Sequence, residues 1–149
     1  MRGLENQEKA KVYFQLATIG LDKPVQAIFY NDQQPDKIFY QGLAWKKSGN
    51  FQKAEALFHS LIGFGEAHQN DEVKIDYFAV SLPDLLVFDA DLNERNQIHC
   101  FYLIGLGHLG LGYYEDAQPF FNKILSMNIN HQGAILHKNM IDFLKRESL

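Results

Sequence analysis

The chain has 149 residues, 21% of them charged in mixed order, and a formal net charge of −4; that length suits one domain with its own core. No run of Lys and Arg of the kind that tracks phosphates is present, which argues against nucleic acid as a partner. The single cysteine, Cys100, excludes an internal disulfide and a paired-thiolate metal site, and no apolar run reaches the ~18–20 residues of a membrane-crossing helix.

The opening MRGLENQEKA lacks the apolar core of a signal peptide, so a cytoplasmic protein without membrane contact is expected. Residues 5–19 predict a helix, because Ala10, Phe14 and Ala17 recur at spacings of four and three on one face. Gly20 stops that pattern and Pro24 follows it. Residues 21–36 hold Pro24, Asn31, Asp32, Pro35 and Asp36 and read as a short helical or irregular connector ending in a turn. A second helix is expected over 36–48, capped by Asp36 and with Lys46 and Lys47 at its negative end. Gly49-Asn50 breaks it. A third helix, 51–68, has Phe51, Ala54, Leu57, Phe58, Leu61 and Ile62 on its apolar side and is weakened by Gly63 and Gly65.

The stretch 69–92 is the least regular. DEVKIDYFAVSL reads as helix or strand, since Val73, Ile75, Tyr77 and Phe78 favour strands; its helical neighbours tip the expectation towards helix. Ser81 ahead of Leu82 and Pro83 has the form of a helix start, which makes LPDLLVF a short helix. The next helix is expected over 93–109, capped by Asn93 with Glu94 in the first turn. Another spans 114–127, where Pro119 is tolerated best near the helix start. The last spans 131–146, with Ala134, Ile135, Met140, Ile141 and Leu144 on its apolar side.

Two stretches repeat one pattern: FYQGLAWKKSGNFQKAEALFHSLI (39–62) and YLIGLGHLGLGYYEDAQPFFNKIL (102–125). Gly42 falls on Gly105, Trp45 on His108, Gly49 on Gly112, Phe51 on Tyr114, Ala54 on Ala117, Phe58 on Phe121 and Leu61 on Ile124, all 63 residues apart. The spacing of small residue, turn glycine, aromatic, alanine and second aromatic resembles the tetratricopeptide repeat, whose period is ~34 residues. The resemblance implies an all-α fold of antiparallel helix-turn-helix units stacked in a right-handed superhelix, one domain over 1–149. Its units would be a half repeat at 5–20, full units at 36–68 and 93–127, a degenerate unit at 69–92 between them, and a capping helix at 131–147. The half repeat suggests a piece of something longer. Beyond the repeats, YNDQQPDKIFYQGLA, DEVKIDYFAVSLPDLLVFDADLN and RNQIHC resemble the C-terminal helical part of large, poorly characterised bacterial proteins with a suggested link to carbohydrate metabolism.

In this family the first helix of each pair lines a concave groove that takes peptides or other domains. The resemblance places Phe39, Leu43, Lys46 and Lys47 there in one unit, and Tyr102, Leu106 and Leu109 in the other. Some members clamp a C-terminal carboxylate with Lys, Asn and a further Lys or Arg. Phe39 and Leu43 replace the first two here and leave Lys47, so that ligand is not expected. The implied function is a non-enzymatic interaction or scaffold module, its partner a peptide, a neighbouring domain or the N-terminal part of its own parent chain. The alternative is a structural appendage of a larger carbohydrate-related enzyme. Exposed repeat ends would also allow a homodimer.

Other motifs carry less. Gly105–Gly110 reads GLGHLG, the spacing of a dinucleotide-binding turn, but no acidic residue follows at 125–132 where the ribose partner belongs. No cofactor is expected. DADLNE (89–94) imitates a calcium-loop start, yet Glu94 and Cys100 stand where glycine and glutamate are required. His131 and His137 are six apart and His99 and His108 nine, poor spacings for one helical face, so no metal is expected. His108 matches Trp45 and reads as a packing residue. Asp84, Asp89 and Asp91 could supply an acid–base pair, but an acidic loop accounts for them.

Overall fold

The computed structural model describes residues 2–18, 22–25, 35–73 and 84–147. Among these it is all-α, with six helices in chain order: α1 Arg2–Ala17, α2 Pro35–Lys47, α3 Phe51–His68, α4 Asp84–Gly110, α5 Tyr114–Met127 and α6 Gln132–Glu147. The helix-or-strand question over residues 74–83, and the Ser81–Pro83 helix start, lie outside the described residues.

The two turns of the repeat form by the same chemistry. Gly49 has φ +90° and Gly112 φ +83°, the left-handed region in which a side chain on Cβ meets the next carbonyl and glycine does not. Each turn closes with the same pair of backbone hydrogen bonds. Asn50 N donates to Trp45 O at 2.9 Å and Gly49 N to Lys46 O at 3.2 Å; Tyr113 N donates to His108 O at 2.9 Å and Gly112 N to Leu109 O at 3.1 Å. These are the 6→1 and 5→2 bonds that satisfy the last carbonyls of a helix ending in glycine. They turn α2 back along α3, and α4 back along α5.

Contacts follow chain order. Each helix from α2 to α5 packs on the next, α2 also touches α4, and α4 also touches α6. α1 packs on α2. α4 therefore lies at the centre with neighbours on every side. From Tyr102 to Gly107 it is buried continuously, as a helix apolar all round must be. The core joins Ile38 and Phe39 of α2, Phe58 and Leu61 of α3, Tyr102, Leu103 and Leu106 of α4, Phe121 and Ile124 of α5, and Ile141 of α6.

Two expectations are corrected. Asn93 does not cap a helix, because α4 already runs from Asp84 through it. Its side chain instead accepts the Val73 N–H at 2.7 Å, and Asn96 donates to His68 O at 2.8 Å. The acid-and-asparagine pattern that looked like a helix start serves a tertiary contact, tying α4 to the end of α3 and the chain just beyond it. Nor, among the described residues, does a helix pair sit between the two copies: α3 packs directly on α4. Residues 84–92 of the expected degenerate unit are the first turns of α4 itself. Pro119 lies inside α5 at an exposed position; the proline lacks an N–H and the helix continues past it.

Candidate functional site

The direct α3–α4 contact explains the glycines that GLGHLG carries beyond the repeat. A Cβ at Gly107 would stand 2.6 Å from the Phe58 carbonyl oxygen, and one at Gly110 would strike the Phe58 ring. From the other side, a Cβ at Gly65 would stand 2.6 Å from Cys100 O. Three glycines thus let two helix backbones approach closely. Gly105 faces the opposite way, where its Cβ would stand 2.8 Å from the Phe121 ring, as one at Gly42 would meet the Phe58 ring. No dinucleotide turn exists here, since the whole motif is helical or helix-terminal.

The seven residues expected to line a groove divide sharply. Phe39 is 1% exposed, Tyr102 6%, Leu106 0% and Leu109 4%. These four are core side chains and do not line an open surface. Leu43 is half-buried, packed on the core from its edge. Lys46 and Lys47 are exposed at the end of α2. The cause of burial is partly α6, whose His137 stands edge-on to Phe39 at 5.3 Å and to Tyr102 at 5.7 Å.

His137 organises the most polar part of this interior. It is 1% exposed. Its Nδ1 lies 2.7 Å from Gly133 O and 3.1 Å from Tyr102 Oη, and its Nε2 lies 3.2 Å from Tyr40 Oη. A carbonyl can only accept, so Nδ1 carries the proton and donates to Gly133 O, with Tyr102 Oη sharing it. Nε2 is then bare and accepts the Tyr40 O–H. Burial lowers the His137 pKa from its ordinary value, while the Gly133 bond and the Asp36 charge act the other way. Burial likewise pushes the Tyr102 hydroxyl up, and Tyr40 to a lesser degree, each with help from Asp36. His131, just ahead of α6, accepts the Ala134 N–H on Nδ1 at 3.0 Å and packs edge-on against Tyr102 at 5.0 Å. Burial lowers its pKa also.

The sequence spacing missed this pair. Six residues apart is a poor fit to one helical face, but His131 sits outside α6 in the capping position, where helical periodicity does not apply. The informative signal was position, not spacing: a residue able to accept a hydrogen bond, three before Ala134, at a predicted helix start. Tyr40 reaches solvent at one edge of the cluster, but His137, 1% exposed with both nitrogens engaged, lies beneath the surface.

The remaining candidates fall elsewhere. His108 stacks on Phe120 at 6.0 Å and 18°, in the packing position that Trp45 holds in the first copy. His99 Nε2 bonds to Val25 O at 2.8 Å, tying the segment at 22–25 to α4. Cys100 is buried, and its thiol is pushed up to about 12 by burial, with Asp71 adding to the effect, so it is inert as a nucleophile. Asp84, Asp89 and Asp91 lie on the first turns of α4. No group of three or more metal-ligating side chains occurs among the described residues, and no described helix is long and apolar enough to cross a membrane. A cleft lined by Thr18, Asp22, Lys23, Trp45, Lys53 and Ser60 mixes both signs of charge, and Lys53 already lies 4.3 Å over the Trp45 ring.

Large apolar side chains are open to solvent at several places, Phe51 and Ile129 among them, and they gather on the first and last described helices. Leu136 and Phe143 are 54% and 60% exposed. Seven residues apart, they share the side of α6 that faces away from Ala134 and Ile141. Val12, Tyr13 and Leu16 form a similar exposed stripe on α1. Compared with known proteins, the chain matches no family model and no solved structure.

Proposed function

We propose that the chain is an interaction or scaffold module built from tetratricopeptide-like helix pairs, which takes up a peptide or a neighbouring domain without catalysing a reaction. Two kinds of observation support the repeat. The turn bonds fall on residues 63 apart in both copies, and each helix touches the next and the next but one along the α2, α4, α6 series. In such a stack the faces left without a neighbour are those of the end helices.

The observation that carries the interaction reading is the pair Leu136 and Phe143. Large apolar side chains exposed together on an ordered helix mark surfaces that gain from being covered. The partner docks along this face of α6, with Lys46 and Lys47 as peripheral charge on α2. A segment of the protein's own parent chain is one such partner. Phe39 and Tyr102 of the expected groove act as a floor under α6 rather than as contacts.

The test is a double substitution, Leu136→Ser with Phe143→Ser, scored by recovery of bound protein and by circular dichroism. The expected result is an unchanged helical spectrum with loss of the partner. Undiminished recovery with the fold intact would sink the proposal.

A further inference from the structure

We propose that α6 is a proton-released latch: it closes over Phe39 and Tyr102 while His131 and His137 are neutral, and lets go when they take up protons. The inference concerns how α6 is held and does not depend on what the module binds.

Two hydrogen bonds carry it: the first needs a bare histidine nitrogen, and the neutral ring makes the second as an acceptor. At the start of α6, His131 Nδ1 accepts the Ala134 N–H at 3.0 Å, doing the work of a capping oxygen. Six residues further on, His137 Nε2 accepts the Tyr40 O–H at 3.2 Å, which joins α6 to α2. A protonated ring has no acceptor. Protonating His131 therefore removes the cap and sets a positive charge at the positive end of the helix. Protonating His137 turns the Tyr40 hydroxyl from donor to acceptor and puts a charge between Phe39, Tyr102 and Phe121, whose rings stand 5.3–6.3 Å from its own. The two charges would also repel each other.

The groups facing His137 from each packed element are few. α2 brings Asp36 and Tyr40, α4 brings Tyr102, and α5 brings the uncharged Phe121. The Gly133 carbonyl and Asp36 favour the charged ring, and burial outweighs them, so the folded pKa is lowered. His131 is lowered in the same direction by burial and by His137. The sign follows: below the unfolded histidine value of ~6.5 the unfolded chain binds more protons than the folded one, so stability is fully present above that value and is lost as pH falls through the folded values. Other ties of α6, among them the burial of Ala134 and Ile141 in the core, the Lys145 bridge to exposed Glu115 at 2.8 Å and the bond to Gln118 at 3.3 Å, are not set by histidine.

The experiment is amide hydrogen exchange on the full chain at about pH 7.5 and about pH 5.5, corrected for the intrinsic pH dependence, with α3 as the internal reference. The expected result is a fall in α6 protection relative to α3, with a ceiling of ~10-fold per histidine because pH 5.5 lies about one unit below the unfolded value. A double variant, His131→Asn with His137→Gln, keeps acceptors that do not titrate and is expected to lose this pH dependence. Equal protection changes in α3 and α6, or the same loss in the variant, would overturn the proposal. Should the variant not fold, the histidine ring signals of the wild-type chain decide by nuclear magnetic resonance. Both rings are expected to titrate below ~6.5; either one titrating at or above that value overturns the latch.

Discussion

In α2–α3 the chain reverses at Gly49, in α4–α5 at Gly112, and the backbone hydrogen bonds around the two turns fall on residues 63 apart. Gly42 meets Phe58 in one pair and Gly105 meets Phe121 in the other. Yet two residues beyond each of these glycines the copies part. Ala44 and Lys47 of α2 stand where α4 has Gly107 and Gly110. The difference follows from surroundings. Lys47 reaches solvent, whereas α4 is enclosed and takes α3 against its back. The repeat rule governs how a helix pair folds, and the neighbour decides which positions on it must shrink.

The largest effect expected from that contrast is at its sharpest point. Gly107→Ala would put a methyl 2.6 Å from a backbone carbonyl oxygen, that of Phe58, with the Ile62 side chain equally close. A backbone atom inside a helix cannot step aside as a side-chain tip can. The variant should lose about 3 kcal/mol, at the upper end of overpacking costs. The counterpart in the first copy runs the other way, since Ala44→Gly should cost only about 1 kcal/mol through helix propensity. Urea unfolding of both variants checks this, and a mild Gly107→Ala would mean that the α3–α4 approach is looser than described.

Next come the paired glycines. Gly42→Ala and Gly105→Ala each press a buried phenylalanine ring and should cost about 2 kcal/mol. They should not be equal. The Phe58 ring is met by Gly42 and also by Gly110 of α4, so it has little room to retreat. Gly42→Ala should therefore be the worse by about 1 kcal/mol. Thermal melts rank them, and the reverse order would break the claim that α4 pins Phe58. The turn glycines form a control. Nothing lies within 4 Å of a Cβ at Gly49 or Gly112, so only the backbone resists. Alanine at either should cost about 1 kcal/mol and by nearly the same amount.

These same residues show how far the sequence could be read. The two turns and most of the helices were legible, because each depends on residues close in the chain or on one fixed spacing. The adjacency of α3 and α4 was not. It rests on Gly65, Gly107 and Gly110 meeting across the gap between the copies, and a glycine inside a helix looks like a weakness until its neighbour is known. The expected groove was misread for a related reason. Phe39, Tyr102, Leu106 and Leu109 have the positions of inner-face residues, but helical spacing does not say how tightly successive inner helices close. Here Tyr40 and His137 meet, and the inner face becomes core. His131 escaped notice because a ring nitrogen did what a hydroxyl or carboxylate usually does.

The smallest expected effect sharpens the comparison most cleanly. Asn50 and Tyr113 occupy equivalent positions before α3 and α5, with backbone angles of φ −93°, ψ 76° and φ −89°, ψ 70°. The Asn50 side chain accepts the Lys53 N–H at 3.2 Å; Tyr113 makes no such cap. Replacing Asn50 by Ala should therefore cost about 1 kcal/mol. The informative change is the converse, Tyr113→Asn. The backbone is already set for a cap, Tyr113 is exposed, and the N–H groups that open α5 await an acceptor. Its ring contact with His108, centroids 6.4 Å apart, is lost. A net gain of about 0.5 kcal/mol is expected, read as a rise in urea midpoint at unchanged slope. A loss instead would show that the second copy draws more from the Tyr113 ring than from the chemistry the two turns share.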